Sequence, residues 1–254
     1  MSCKTLLILA ALLPGTLLAQ TEVEAPATEI DPSKPTNLYT QLNAQAEATA
    51  APGGDLAGMR FNVQYAFNPN NLLLAEIPLL YNTGTEKFGL ADCRARYFNK
   101  VYVNNALRLN AIMVGVDVTM PTGSFEDGLG GASWSVAPTL IAGVMVTKKI
   151  FAFPGVSYVH ITAPDIGVEG VTTYASDGFG LQTNMSIGFD KKTFLFVNPI
   201  YTWLTTNGNT ADFWSGEFNL NRILKPNKLK ANLGWFPNFT NEMNTIRLGL
   251  TVFL

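Results

Sequence analysis

The sequence predicts an all-β fold, a transmembrane antiparallel up-and-down β-barrel of about twelve strands in an outer membrane. Three observations lead there. Apolar residues recur at every second position from about Leu38 onward, short turns alternate with longer Gly-rich loops, and the chain opens on a secretory-type leader. Composition narrows the field further. Charged residues make up 14% of the 254 residues and the formal net charge is −2, against roughly 25% charged in an average soluble domain. A basic nucleic-acid binder and a highly charged disordered chain are both excluded. The chain's single histidine excludes a multi-histidine metal site and leaves a hydrolase one candidate base of the usual kind. No cofactor, phosphate-loop or metal motif is present.

Residues 1–19 read as a signal peptide. Lys4 precedes an apolar run from Leu6 to Leu13, Pro14-Gly15 breaks it, and Leu17-Leu18-Ala19 leads to the expected cleavage after Ala19. The run is too short to cross ~30 Å of hydrocarbon, which takes about 20 helical residues. Cys3 leaves with this segment, so the mature chain keeps only Cys93 and forms no intramolecular disulfide. Residues 20–36 are rich in Thr, Pro and acidic residues and lack periodicity, as in a flexible periplasmic lead-in. The barrel is expected over 37–254.

Within it no stretch carries a 3.6-residue pattern. Phe61, Val63, Tyr65 and Phe67 alternate with Arg60, Asn62, Gln64 and Ala66, and Ile246, Leu248, Leu250 and Val252 alternate with Arg247, Gly249 and Thr251. Strands are expected near 37–48, 58–67, 71–81, 88–98, 102–120, 133–147, 150–162, 179–189, 193–204, 212–223, 228–236 and 243–254. Tight turns fall at 68–70, 99–100, 148–149, 190–192 and 225–227. Longer loops fall at 49–57, 82–87, 121–132, 163–178, 205–211 and 237–242. Lysines crowd the short turns, while Glu126, Asp127, Asp165, Glu169, Asp177 and Asp212 mark the long loops. This asymmetry is that of an outer-membrane barrel with both termini periplasmic.

A soluble β-sandwich also alternates. Strands near ten residues, aromatics at strand ends (Trp134, Tyr201, Trp203, Trp235 with Phe236) and a terminal apolar strand favour the barrel. That last strand, with Phe253 penultimate, is the expected handle for the barrel-assembly machinery. Outer-membrane lipid and lipopolysaccharide are the expected surroundings.

Following the pleat, Glu47, Arg60, Glu76, Asp92, Arg94, Arg96, Asp117, Glu217, Lys230 and Arg247 face inward. Arg108 stays unassigned because the strand changes phase near Asn110-Ala111, where a bulge is expected. Lipid exposure of Arg or Lys at the midplane of a barrel costs ~2–4 kcal/mol, so these charges belong to the lumen. Arg94 and Arg96 are expected to pair with Glu76, Asp92 and Asp117 across strands. Two readings stand for the set, a bracing ladder and a polar constriction on a solute pathway. Cys93 is expected to point outward. Twelve strands leave a lumen narrower than that of a 16-stranded porin. Pro78, Pro138, Pro154 and Pro199 interrupt strands and are expected to mark bulges that bend the wall.

Phe88-Gly89-Leu90-Ala91-Asp92 opens a strand that continues through Arg94, Arg96 and Tyr97. Val116-Asp117-Val118-Thr119-Met120 then runs into the loop motif Pro121-Thr122-Gly123-Ser124, the Gly loop 128–131 and Trp134-Ser135-Val136-Ala137-Pro138. This stretch of about 60 residues resembles the outer-membrane β-barrel family of the meta-pathway of phenol degradation, a transporter-like family, with Ala91 where Gly often precedes the Asp. The resemblance implies a barrel that passes small, apolar or aromatic solutes. The residues themselves say that Pro121 and Gly123 end a strand, and a plain turn is the expected form of the Gly loop, the alternative being an inward fold that narrows the entrance.

The leading expectation is a narrow channel or transporter for small solutes rather than an enzyme. The alternatives are a barrel whose loops 121–132 and 163–178 bind a partner or surface, and a lipid-modifying enzyme using His160. The pleat puts Ser157 on the face opposite His160, so that enzyme needs a serine from another strand, such as Ser186.

Overall fold

The computed structural model describes residues 31–33, 37–104 and 107–254. The expected signal peptide and residues 20–30 of the lead-in lie outside the described residues. The described residues form strands and connections without a helix: β1 (Gln41–Ala50), β2 (Leu56–Asn68), β3 (Asn71–Asn82), β4 (Lys87–Leu90), β5 (Cys93–Val103), β6 (Leu109–Met120), β7 (Ser135–Thr147), β8 (Ile150–Ile161), β9 (Ser176–Gly188), β10 (Thr193–Thr206), β11 (Asn209–Lys225), β12 (Leu229–Asn238) and β13 (Met243–Phe253). Each pairs antiparallel with its neighbour, and β1 closes on β13 from Gln41↔Phe253 to Ala50↔Asn244.

The β3 strand pairs with β5 over Asn71–Glu76 and with β4 over Leu79–Asn82. Those two strands are halves of one stave, split at Ala91-Asp92, so the closed barrel has twelve positions. The expected single strand over 88–98 is therefore broken in the middle.

Two other boundaries differ from expectation. Asn99-Lys100 is no turn but lies inside β5, where a register shift between Lys100 and Tyr102 absorbs an extra residue. The β5 strand runs on to Val103 and β6 starts at Leu109, with the Asn104 N–H on the Asn110 carbonyl at 2.8 Å. Arg108 is exposed just before β6, outside the lumen, and the expected bulge falls between Leu109 and Ala111. The stretch 205–211 is a two-residue hairpin rather than a loop. Asn207 and Gly208 both have positive φ, 49° and 78°, as an Asn-Gly turn requires.

Five prolines interrupt the ladder without moving it. Pro78, Pro138, Pro154, Pro199 and Pro237 each pair on one side, while the neighbouring pairing lapses on the other and resumes in the same register, except at Pro78, where the stave itself splits. Proline has no N–H to offer that side. These sites are not the expected bulges; the register shifts all lie near the short-turn end.

The outer face is apolar, with Leu140, Val156, Leu181, Leu220, Leu233, Leu248 and Leu250 exposed along it. Near the long-loop end, Tyr158, Phe179 and Trp203 form a continuous aromatic row with centroids 5.9 and 5.7 Å apart, and Tyr201 packs on Trp214 at 4.6 Å. Trp235 joins this girdle by stacking on Phe218 at 5.0 Å. Phe236, expected beside it, points inward, and the Arg247 guanidinium lies 4.2 Å over its ring.

Candidate functional site: the barrel lumen

Alternation in six neighbouring staves brings seven charged side chains into one belt. Arg247 from β13 donates from Nε to Glu47 on β1 at 2.8 Å. Arg60 from β2 grips the same carboxylate, Nε at 2.5 Å and Nη2 at 3.0 Å, and reaches Glu76 on β3 with Nη1 at 3.3 Å. Arg96 bridges Glu76 at 3.5 Å and Asp117 at 3.0 Å. Arg94 closes the row, with Nε 2.7 Å from Asp117 and Nη2 on its second oxygen. Signs alternate along the belt, so each carboxylate lies between cations. Such compensation is what buried charges need.

The belt realises the cross-strand pairing read from the sequence, with one exception. Asp92 makes no ion pair with Arg94 or Arg96. It sits in the break between β4 and β5, outside the regular pleat, and accepts the N–H groups of Gly123 at 3.0 Å and Gly131 at 2.7 Å. It thereby clamps the loop after Pro121-Thr122-Gly123. Thr122 adds a hydroxyl donated to the Ala91 carbonyl at 2.8 Å. The loop is not the expected plain turn. It folds inward, burying Leu129 against Leu80 and Ala91, and Asn82 holds the carbonyls of Asp127 and Gly128 at 3.1 and 3.3 Å. Gly123 is required there, because a Cβ would stand 2.2 Å from the Leu129 carbonyl oxygen.

Glu217 faces the belt from β11. It accepts from Asn198 Nδ2 at 3.3 Å and takes no arginine. Lys230 on β12 also points inward, with its ammonium 5.9 Å from the Phe194 ring centroid.

Two cavities lie in line. The upper, about 510 Å³, is lined by the belt arginines, Glu76, Asp92 and Glu217. The lower, about 270 Å³, shares Arg96 and Glu217 with it and continues toward Lys230. Its walls differ in character. One is apolar, with Leu72, Leu74, Phe98, Met113, Ile141 and Phe153. The other carries amides, where Gln41 donates to Gln64 at 2.8 Å and, alongside, Asn62 to Asn43 at 3.0 Å and Asn43 to Thr251 at 2.7 Å.

The segment before β1 closes the lower cavity at the short-turn end. Pro32, Asn37, Leu38 and Tyr39 line it. Ser186 on β9 donates its hydroxyl to the Ser33 carbonyl, the Asp31 N–H reaches the Tyr39 hydroxyl at 2.8 Å, and Gln64 holds the Tyr39 carbonyl at 3.0 Å. Burial pushes the Tyr39 hydroxyl pKa up. Residues 31–33, the described part of the lead-in, are thus held against the barrel.

The fold is that of outer-membrane channels. The COG4313 outer membrane channel from Pseudomonas putida F1 superposes with a TM-score of 0.60 at 16% identity, over 92% of this chain and 100% of that one. The NanC porin gives 0.64 at 8% identity, over 84% and 100%, and the KdgM porin in complex with oligogalacturonate gives 0.54 at 12%, over 84% and 98%. No family model and no curated protein matches the sequence.

His160 lies on the outer face near the long-loop end, its Nδ1 2.7 Å from Asp177, whose same oxygen takes the Tyr158 hydroxyl. Ser186 does not meet it. That serine lies at the opposite end of the barrel, inside the lumen, engaged with Ser33. Cys93 alternates with inward Arg94 and so faces outward, its N–H on Thr122 Oγ1 at 2.8 Å.

Sequence reasoning missed the apolar wall and the closure by Pro32, Asn37, Leu38 and Tyr39. A signal for the wall exists. Ala111-Ile112-Met113-Val114 and Phe151-Ala152-Phe153 are apolar at every position, which a strand shows when both faces are apolar.

Proposed function

We propose that the protein is an outer-membrane channel for small solutes, apolar or aromatic ones among them, with both termini on the periplasmic side. One observation carries the reading: two cavities stacked along the lumen, a charged one followed by one with an apolar wall. Lysines at the short turns and acids at the long loops support the orientation, as does the resemblance of residues 88–146 to the meta-pathway family. Glu76, Asp92, Arg94, Arg96, Asp117, Glu217 and Arg247 line the route, and Pro121, Thr122 and Gly123 anchor its upper loop. The reading includes removal of residues 1–19, assembly through the β13 strand, and lipid with lipopolysaccharide around the apolar face. Liposomes carrying the purified protein should swell in small neutral solutes that bilayers exclude, such as arabinose, faster than empty ones. Equal rates would overturn the channel reading.

A second reading rests on the loop 162–175, where Val168, Val171 and Tyr174 are exposed. In it the loops contact a partner or surface. Deleting 166–173 then abolishes adhesion while permeability stays intact.

A further inference from the structure

We propose that the lower cavity is a binding site for a small amphiphilic monoanion, an aromatic or short aliphatic carboxylate, with its head on Lys230 and its body on the apolar wall. The inference rests on the channel reading and names the class of solute. Its starting point is a mismatch in the lumen. Each belt arginine has a carboxylate, whereas Lys230, among the described residues, has no ion pair. Glu217 does not supply one. The pairing register places it across from Phe236, six residues along β12 from Lys230, about 20 Å of strand. An enclosed ammonium without an ion pair is costly until an anion arrives.

The rest of the cavity specifies the anion's body. Met113, Ile141 and Phe153 form a buried cluster with Phe98 against it, and all four face this space. A hydrated inorganic anion leaves that wall wet. A neutral hydrocarbon leaves Lys230 unpaired. A carboxylate on a single ring or short chain satisfies both. At about 270 Å³ the cavity lies just below the range of roughly 300–1,000 Å³ that holds drug-sized ligands, so the occupant is small.

The test is titration of the full protein in detergent with benzoate, benzyl alcohol and acetate, repeated with Lys230→Gln and Lys230→Arg. Benzoate should bind at least about tenfold more tightly than either the alcohol, which lacks the charge, or acetate, which lacks the body. Lys230→Gln should erase the preference for benzoate over the alcohol, and Lys230→Arg should restore it. Equal binding of the three probes, no benzoate binding, or an unchanged preference in Lys230→Gln overturns the proposal. The wild-type series decides the matter even where a variant does not fold. Swelling assays separate this outcome from the channel reading: a barrel that binds benzoate yet passes no solute defeats the channel and keeps the site.

Discussion

Arg60 holds Glu47 with two nitrogens, Nε at 2.5 Å and Nη2 at 3.0 Å, across the β1–β2 pair. The carboxylate is almost sealed, with 3% of its side chain accessible, and Arg247 reaches it from the other flank. A fork on a carboxylate is the strongest common form of charged hydrogen bonding in proteins. Removing one member leaves an enclosed charge behind. Arg60→Ala should therefore lower barrel stability by about 3–5 kcal/mol. The check is the temperature at which the folded band is lost on a denaturing gel.

Arg94 is the accessible end of the belt, and Asp117 keeps Arg96 when Arg94 is gone. Arg94→Ala should cost less than Arg60→Ala, on the order of 1 kcal/mol. It should also move any conductance toward cations. Reversal potentials in planar bilayers under a salt gradient read this, and unchanged preference with unchanged heat stability would mean the pair does not govern the lumen.

Asp92 ties down the loop through two N–H bonds. Asp92→Ala should release it at a cost of about 1–3 kcal/mol, since both donors lose a charged acceptor in a partly enclosed place. Limited proteolysis should then cut within 124–130 faster than in the parent. Asp92→Asn should fall between the two.

The closure at the short-turn end draws on bonds from Ser186 and Tyr39. Ser186→Ala removes the hydroxyl that holds the Ser33 carbonyl, and Tyr39→Phe removes the acceptor for the Asp31 N–H. Each bond contributes roughly 0.5–1.5 kcal/mol, so the open fraction should rise several-fold per variant. Single-channel dwell times measure it. Identical dwell times in both variants would show that the segment does not limit passage.

Much of the barrel was legible because membrane strands repeat with period two. That period sets which side chains meet inside, so Glu47, Arg60, Glu76, Arg94, Arg96, Asp117, Glu217, Lys230 and Arg247 could all be placed from the pleat alone. Asp92 could not, because it falls where the strand breaks and alternation no longer applies. The continuation of β5 to Val103 was hidden by a register shift, which moves an extra residue without leaving a composition signal. The inward fold of the Gly loop depends on Leu129 finding Leu80 and Ala91, a contact between distant segments that no local pattern encodes. The hairpin at Asn207-Gly208 is encoded in the dipeptide itself, within a longer polar run that reads as a loop.

The prolines give the cylinder an uneven stiffness around its girth. Two of them, Pro138 and Pro154, thin the same seam between β7 and β8, while the β1–β13 seam keeps ten consecutive pairings. A sheet shears and breathes where its rungs are fewest. Amide protons flanking the β7–β8 seam should trade with deuterium well before those of β1 and β13, and mechanical or thermal opening of the ring should begin there. Chain closure, the joint that looks most vulnerable on paper because it links the two ends, is instead an unbroken run of the wall.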